Sequence, residues 1–187
     1  MMNGLLVSTG VVALAEIGDK TQLLALVLAC RWRKPVPIIL GILIATLANH
    51  AAAAVVGVAV TEFLTPEVLR WVLGLGFLAM AGWMLVPDKL DEDEGEPKAS
   101  KYGPFLATLV TFFIVEIGDK TQVATVALAA EFQNLVLVTL GTTIGMLLAN
   151  VPVVLIGEKA GAKIPLGLVR GISAALFAVM GLAALVW

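Results

Sequence analysis

The sequence predicts an all-α transmembrane fold, six helices arranged as two inverted-topology repeats of three helices each. Composition is the first observation behind it. Of 187 residues, 60% are hydrophobic and only 14% charged, with a mean hydropathy of +1.01, whereas a soluble domain is about 45–50% apolar and about 25% charged. Proline, glycine and charge then cut the chain into six apolar segments, each close to the ~20 residues a helix needs to cross a hydrocarbon core. The third observation is a repeat at an offset of 100 residues, carried most clearly by Glu16-Ile17-Gly18-Asp19-Lys20-Thr21-Gln22 and Glu116-Ile117-Gly118-Asp119-Lys120-Thr121-Gln122.

The predicted helices cover roughly 4–30, 36–61, 67–87, 103–130, 135–158 and 165–187. Residues 1–15 lack a basic leader, so the first run is expected to be a retained span and not a signal peptide. Pro35 and Pro37 open the second helix, Pro66 the third, Pro104 the fourth and Pro165 the sixth, all at starts where proline is tolerated. Pro152 falls inside the fifth, where it should kink the helix and free a backbone carbonyl for a cation or for a neighbouring donor.

The repeat extends beyond the motif without gaps. Gly41 matches Gly141, Ile44 matches Ile144, Gly57 matches Gly157, Arg70 matches Arg170, and Phe77 and Met80 match Phe177 and Met180. About 20 identities join 16–86 to 116–186, an ordered self-similarity that marks a duplicated unit. Three helices is an odd number, so the second copy should enter the membrane from the opposite face, as in secondary transporters with a midplane site between the halves. The expected division is repeat one at 1–87, an acidic cytoplasmic linker at 88–102 and repeat two at 103–187. Lys and Arg set the orientation. Arg31, Arg33 and Lys34 follow the first helix, Lys89, Lys98 and Lys101 the third, and Lys159 and Lys163 the fifth, while loops after even helices have none. Both termini are therefore expected outside, with Trp32, Tyr102 and Trp187 as interfacial anchors.

Several function classes fall away. A net charge of −2 and a pI near 5.4 give no sign of nucleic-acid binding. The single cysteine, Cys30, excludes an intramolecular disulfide and any multi-cysteine metal site. There is no phosphate-binding glycine loop and no nucleophile–base arrangement, so an enzyme is not expected.

Ionisable residues inside a membrane segment are costly and mark functional sites. On a continuous helix, Glu16 and Asp19 would project about 60° apart on one face, with Lys20 close to Glu16, Gln22 beyond Asp19, and Gly18 and Thr21 turned to the back. Glu116, Asp119, Lys120, Gln122, Gly118 and Thr121 would repeat this. If the two faces meet, four carboxylates and two ammoniums share one buried volume, a formal −2 that suits one divalent cation. The same carboxylates can take up protons instead, which is the minimal chemistry of cation/proton exchange. Carboxylate, amide and hydroxyl oxygens are hard donors for Mg²⁺, Ca²⁺ or Mn²⁺. Asn49, His50 and Asn150, mid-depth in the second and fifth helices, are candidate supporting groups, either as ligands and proton relays or as interhelical hydrogen-bonding groups. An organic-cation exporter, a passive cation channel and a non-transporting scaffold with structural ion pairs are the competing readings.

A duplicated E-x-G-D-[KR]-[ST] inside three-helix repeats resembles the small cation/proton exchanger family that includes Golgi manganese/calcium transporters, chloroplast manganese transporters and bacterial manganese exporters of the MneA type. The resemblance spans nearly the whole chain. It implies that Glu16, Asp19, Glu116 and Asp119 bind the cation, with Lys20, Thr21, Gln22, Lys120, Thr121 and Gln122 as motif neighbours. It further implies transport of Mn²⁺, sometimes Ca²⁺, out of the cytosol against H⁺, with no cofactor. The expected partners are the divalent ion and the lipid bilayer, a homodimer is compatible, and no nucleic acid is expected. The chain lacks the N-terminal extension of organellar members and so resembles a bacterial plasma-membrane form.

Overall fold

The computed structural model describes residues 2–87, 100–156 and 166–186. The acidic stretch 88–99, the basic residues Lys89, Lys98, Lys159 and Lys163, Gly157 and Trp187 lie outside these. Among the described residues there are eight α-helices, not six: α1 (Met2–Glu16), α2 (Lys20–Trp32), α3 (Pro35–Phe63), α4 (Pro66–Met84), α5 (Pro104–Glu116), α6 (Lys120–Phe132), α7 (Leu135–Ile156) and α8 (Leu166–Val186). A 3₁₀ turn at Ser100–Tyr102 precedes α5. The predicted starts at Pro35, Pro66 and Pro104 agree with the helices, each with proline in the first turn.

The two extra helices correct one expectation. The predicted helices 4–30 and 103–130 are each broken in two, and the break falls on the motif. Gly18 and Gly118 adopt φ of +83° and +77°, a conformation that side chains with a Cβ resist. Asp19 and Asp119 then take extended backbone as N-caps of α2 and α6. The expectation of Glu16 and Asp19 on one continuous helix face, and of Gly18 as a packing position, is overturned by this turn. The later halves end alike, at Arg33 and Gln133, both left-handed and both donating N–H to the carbonyl of Ala29 or Ala129 at 2.9 Å.

Among the described residues, four helices are long and apolar enough to cross a membrane: Pro35–Phe63, Pro66–Met84, Leu135–Ile156 and Gly167–Val186; Asn3–Glu16 and Pro104–Glu116 are shorter apolar helices. Phe63, Leu168 and Val186 leave more than 60% of their surface exposed, an outer face suited to hydrocarbon and not to water.

The halves hold each other through reciprocal contacts. α1 lies along α7 and α3 along α5. Each pair is brought close by a glycine, because a Cβ on Gly41 would meet Phe105 O and Thr108, while one on Gly141 would meet Leu5 O and Ser8. These are the same contacts displaced by 100 residues. α4 and α8 cross in opposite directions, Gly74 beside Gly181 and Leu185, and Gly181 beside Leu78. At that crossing the matched rings of Phe77 and Phe177 sit 6.2 Å apart.

Candidate metal centre

The broken helices deliver both motifs to one buried place. Glu16 closes α1 and Glu116 closes α5, each with its carbonyl accepting the N–H of Asp19 (3.0 Å) or Asp119 (3.2 Å) across the glycine turn. Neither aspartate caps its own helix with its side chain. Glu16, Asp19, Glu116 and Asp119 are all buried, none above 4% exposed. Carboxylate oxygens of Glu16, Glu116 and Asp119 lie within 4.8 Å of one another, so these three acids could share one metal ion; Asp19 is not in that group.

The glutamates are held in matching ways. Thr21 Oγ1 donates to Glu16 Oε2, and Thr121 Oγ1 donates to Glu116 Oε1 at 2.7 Å. Each also receives a contact from the opposite half: Asn150 Nδ2 to Glu16 Oε2 at 3.4 Å and His50 Nε2 to Glu116 Oε1 at 3.3 Å. Asn150 further donates to Met146 O at 3.1 Å. Among the described residues the remaining oxygens, Glu16 Oε1 and Glu116 Oε2, are buried and without a hydrogen-bond partner. Thr21 and Thr121, expected on the back of the helix, therefore face the glutamates because the break redirects them.

The glutamines are engaged elsewhere. Gln22 Oε1 accepts from Gly18 N at 2.9 Å and Gln122 Oε1 from Gly118 N at 2.7 Å, so in this structure both amide oxygens brace the glycine turn. Gln22 Nε2 also donates to Ala149 O at 3.1 Å, one residue beyond Leu148, whose carbonyl is the one Pro152 leaves without its helical donor. Asn49 Nδ2 donates to Phe113 O at 3.0 Å, an interhelical tie.

Both lysines are engaged. Lys20 Nζ lies 3.8 Å from Asp119 Oδ1, bridging the halves. Lys120, 2% exposed, donates to Val86 O at 2.9 Å and sits 6.0 Å from the Trp83 ring. It shares a water-sized cavity of about 10 Å³ with Asp19, Met84, Arg170 and Ser173. Sequence reasoning missed Trp83, Val86 and Arg170 as neighbours of the site; the Arg70–Arg170 match was the signal available. A larger apolar cavity of about 290 Å³ touches Ile17, Gln22 and Pro152 but none of the four acids.

Compared with known proteins, the chain matches the family described as "Divalent cation/proton antiporter GDT1" over residues 4–92 and 104–187. It is 58% identical over 184 residues to a Vibrio cholerae protein named "Putative manganese exporter", covering 98% of this chain and 90% of that one. It is also 26% identical over 221 residues to "GDT1-like protein 5" of Arabidopsis thaliana, covering 99% and 96%, and 28% identical over 195 residues to a rice "GDT1-like protein 4", covering 91% and 68%. No solved structure matches the chain.

Proposed function

We propose, because the chain belongs to the divalent cation/proton antiporter GDT1 family, that it exports Mn²⁺ from the cytosol in exchange for protons. The observation that carries this is the convergence of Glu16, Glu116 and Asp119, from both motifs, on one buried cluster. The relative named for manganese export, similar over nearly its full length, supports Mn²⁺ as the cargo. Separation of the roomier cavity from the acids favours a small ion over an organic solute.

In this reading α1–α2 and α5–α6 are two discontinuous spans, so the eight helices make six crossings in two inverted repeats, 1–87 and 103–187, joined by a cytoplasmic linker at 88–102. The Lys/Arg distribution puts both termini outside a bacterial plasma membrane. Broken spans that meet near the midplane are how secondary transporters expose polar groups to an ion without exposing backbone to lipid. Glu16 and Glu116 sit at C-terminal helix ends, where the helix dipole adds negative potential for a cation.

Metal and protons compete for the same oxygens. Mn²⁺ displaces protons from the acids, and protons entering from outside displace Mn²⁺ in turn. Lys20 beside Asp119 moderates repulsion among the acids between loadings. Export of a divalent ion against an inside-negative potential costs about 2.3 kcal/mol per charge per 100 mV, and two protons entering per metal offset that charge.

The test is metal-dependent proton movement in inside-out vesicles holding the purified protein, with an acid interior and a pH-sensitive dye. Mn²⁺ is expected to release the proton gradient, and Asp19→Asn or Asp119→Asn is expected to abolish the release with the protein still folded. Metal uptake without proton movement would identify a channel, and no response to any divalent ion would return the motifs to structural ion pairs.

A further inference from the structure

We infer that the site takes each motif glutamate as a one-oxygen ligand, that this selects an ion of Mn²⁺ size against Ca²⁺, and that His50, Asn150, Thr21 and Thr121 are the positioning residues that set the preference. The inference rests on the reading of the cluster as the transport site.

The donors meet one oxygen of each glutamate, and Thr121 Oγ1 also lies 3.4 Å from Asp119 Oδ2. Glu16 Oε2 receives Thr21 Oγ1 from its own motif and Asn150 Nδ2 from the opposite half. Glu116 Oε1 receives Thr121 Oγ1 at 2.7 Å from its own motif and His50 Nε2 at 3.3 Å from the opposite half. With its proton on Nε2, His50 is the donor in that contact. His50 and Asn150 occupy matched positions in the repeat, so the same clamp is built twice with different side chains. Each clamp leaves the other oxygen, Glu16 Oε1 or Glu116 Oε2, buried and without a partner among the described residues. Both His50 and Asn150 are fully buried, so water does not compete for them at the surface.

A carboxylate with one oxygen committed to two donors offers a metal a single oxygen. Turning it to chelate with both would break a hydroxyl bond and a cross-repeat contact together. Ca²⁺ takes six to eight oxygens and commonly gains them by bidentate carboxylates, whereas smaller divalent ions adopt near-octahedral shells of single oxygens. The clamps thus withhold from Ca²⁺ the extra oxygens it needs, and cost a smaller ion nothing.

The test is competition binding of Mn²⁺ and Ca²⁺ to the full chain in lipid nanodiscs at fixed pH, read as the ratio of dissociation constants. Wild type is expected to favour Mn²⁺. The pair His50→Leu with Thr121→Val, which releases Glu116, is expected to lower that ratio on the order of tenfold, chiefly through tighter Ca²⁺ binding. The donor-retaining pair His50→Asn with Thr121→Ser is expected to keep the wild-type ratio. A parallel fall of both affinities at an unchanged ratio would reduce the donors to packing and overturn the inference. Wild type that prefers Ca²⁺ would overturn it while leaving cation exchange intact, and wild type that binds neither ion would overturn both. If the unclamped pair does not fold, Asn150→Ala, which loosens Glu16 alone, is expected to shift the ratio in the same direction by less. An unchanged ratio there also overturns the inference.

Discussion

Gly118 shows how one residue makes the site. Nothing lies within 4 Å of where its Cβ would be, so its value is the φ of +77° that ends α5 and turns Asp119 towards the glutamates. Gly118→Ala is therefore expected to cost about 1–2 kcal/mol through backbone strain alone, read as a drop in thermal stability of the purified protein, with metal affinity falling alongside as the turn distorts. The motif's chemistry was legible in the sequence: three acid or base groups per copy, duplicated, inside apolar runs. The turn was not, because the same seven residues also fit a continuous helix and glycine is common in membrane helices as a packing residue. The consequence fell on Thr21, Thr121, Gln22 and Gln122. The threonines proved to be donors to the glutamates, and the glutamine oxygens were found on Gly18 and Gly118 N–H.

At the level of elements, small residues decide how closely the halves approach. A Cβ on Gly57 of α3 would lie 2.2 Å from Val126 O of α6, a backbone atom that cannot swing away. Gly57→Ala is expected to push α6 outward, lower the yield of folded protein and weaken metal binding, because α6 begins at the Asp119 motif. Gly76 of α4 has open space instead, and Gly76→Ala is expected to be neutral or to stabilise by up to about 1 kcal/mol from helix propensity. Thermal unfolding of the two variants in the same detergent checks the contrast; equal effects would mean that close approach of α3 and α6 contributes little. Helix starts at Pro35, Pro66 and Pro104 were legible from proline chemistry, and those helices begin within a residue of where it put them. Which helix packs on which was not, since the apolar faces of α3 and α7 are nearly uniform and partner choice rests on glycines whose close contacts appear only in three dimensions.

For the whole molecule, the 100-residue offset carried the most information. Residues it matched recur in reciprocal contacts: Gly41 with α5 and Gly141 with α1, Phe77 beside Phe177, and His50 on Glu116 with Asn150 on Glu16. Matched residues can still sit in different surroundings. Lys20 faces Asp119, while Lys120 reaches Val86 O beside Trp83. Trp83 and Met84 correspond to Ala183 and Ala184, so the aromatic ring beside Lys120 has no counterpart at the matched position. In the proposed mechanism the two motifs form a single site in which a divalent ion and protons exclude each other. Calorimetric titration of Mn²⁺ into the purified protein, in two buffers of different ionisation enthalpy, measures stoichiometry and proton release together. A single shared site gives one Mn²⁺ per chain, protons released on binding, affinity that weakens as pH falls, and loss of all binding in either Glu16→Gln or Glu116→Gln alone. Two ions per chain, with each single variant keeping one, or binding without proton release, would contradict it.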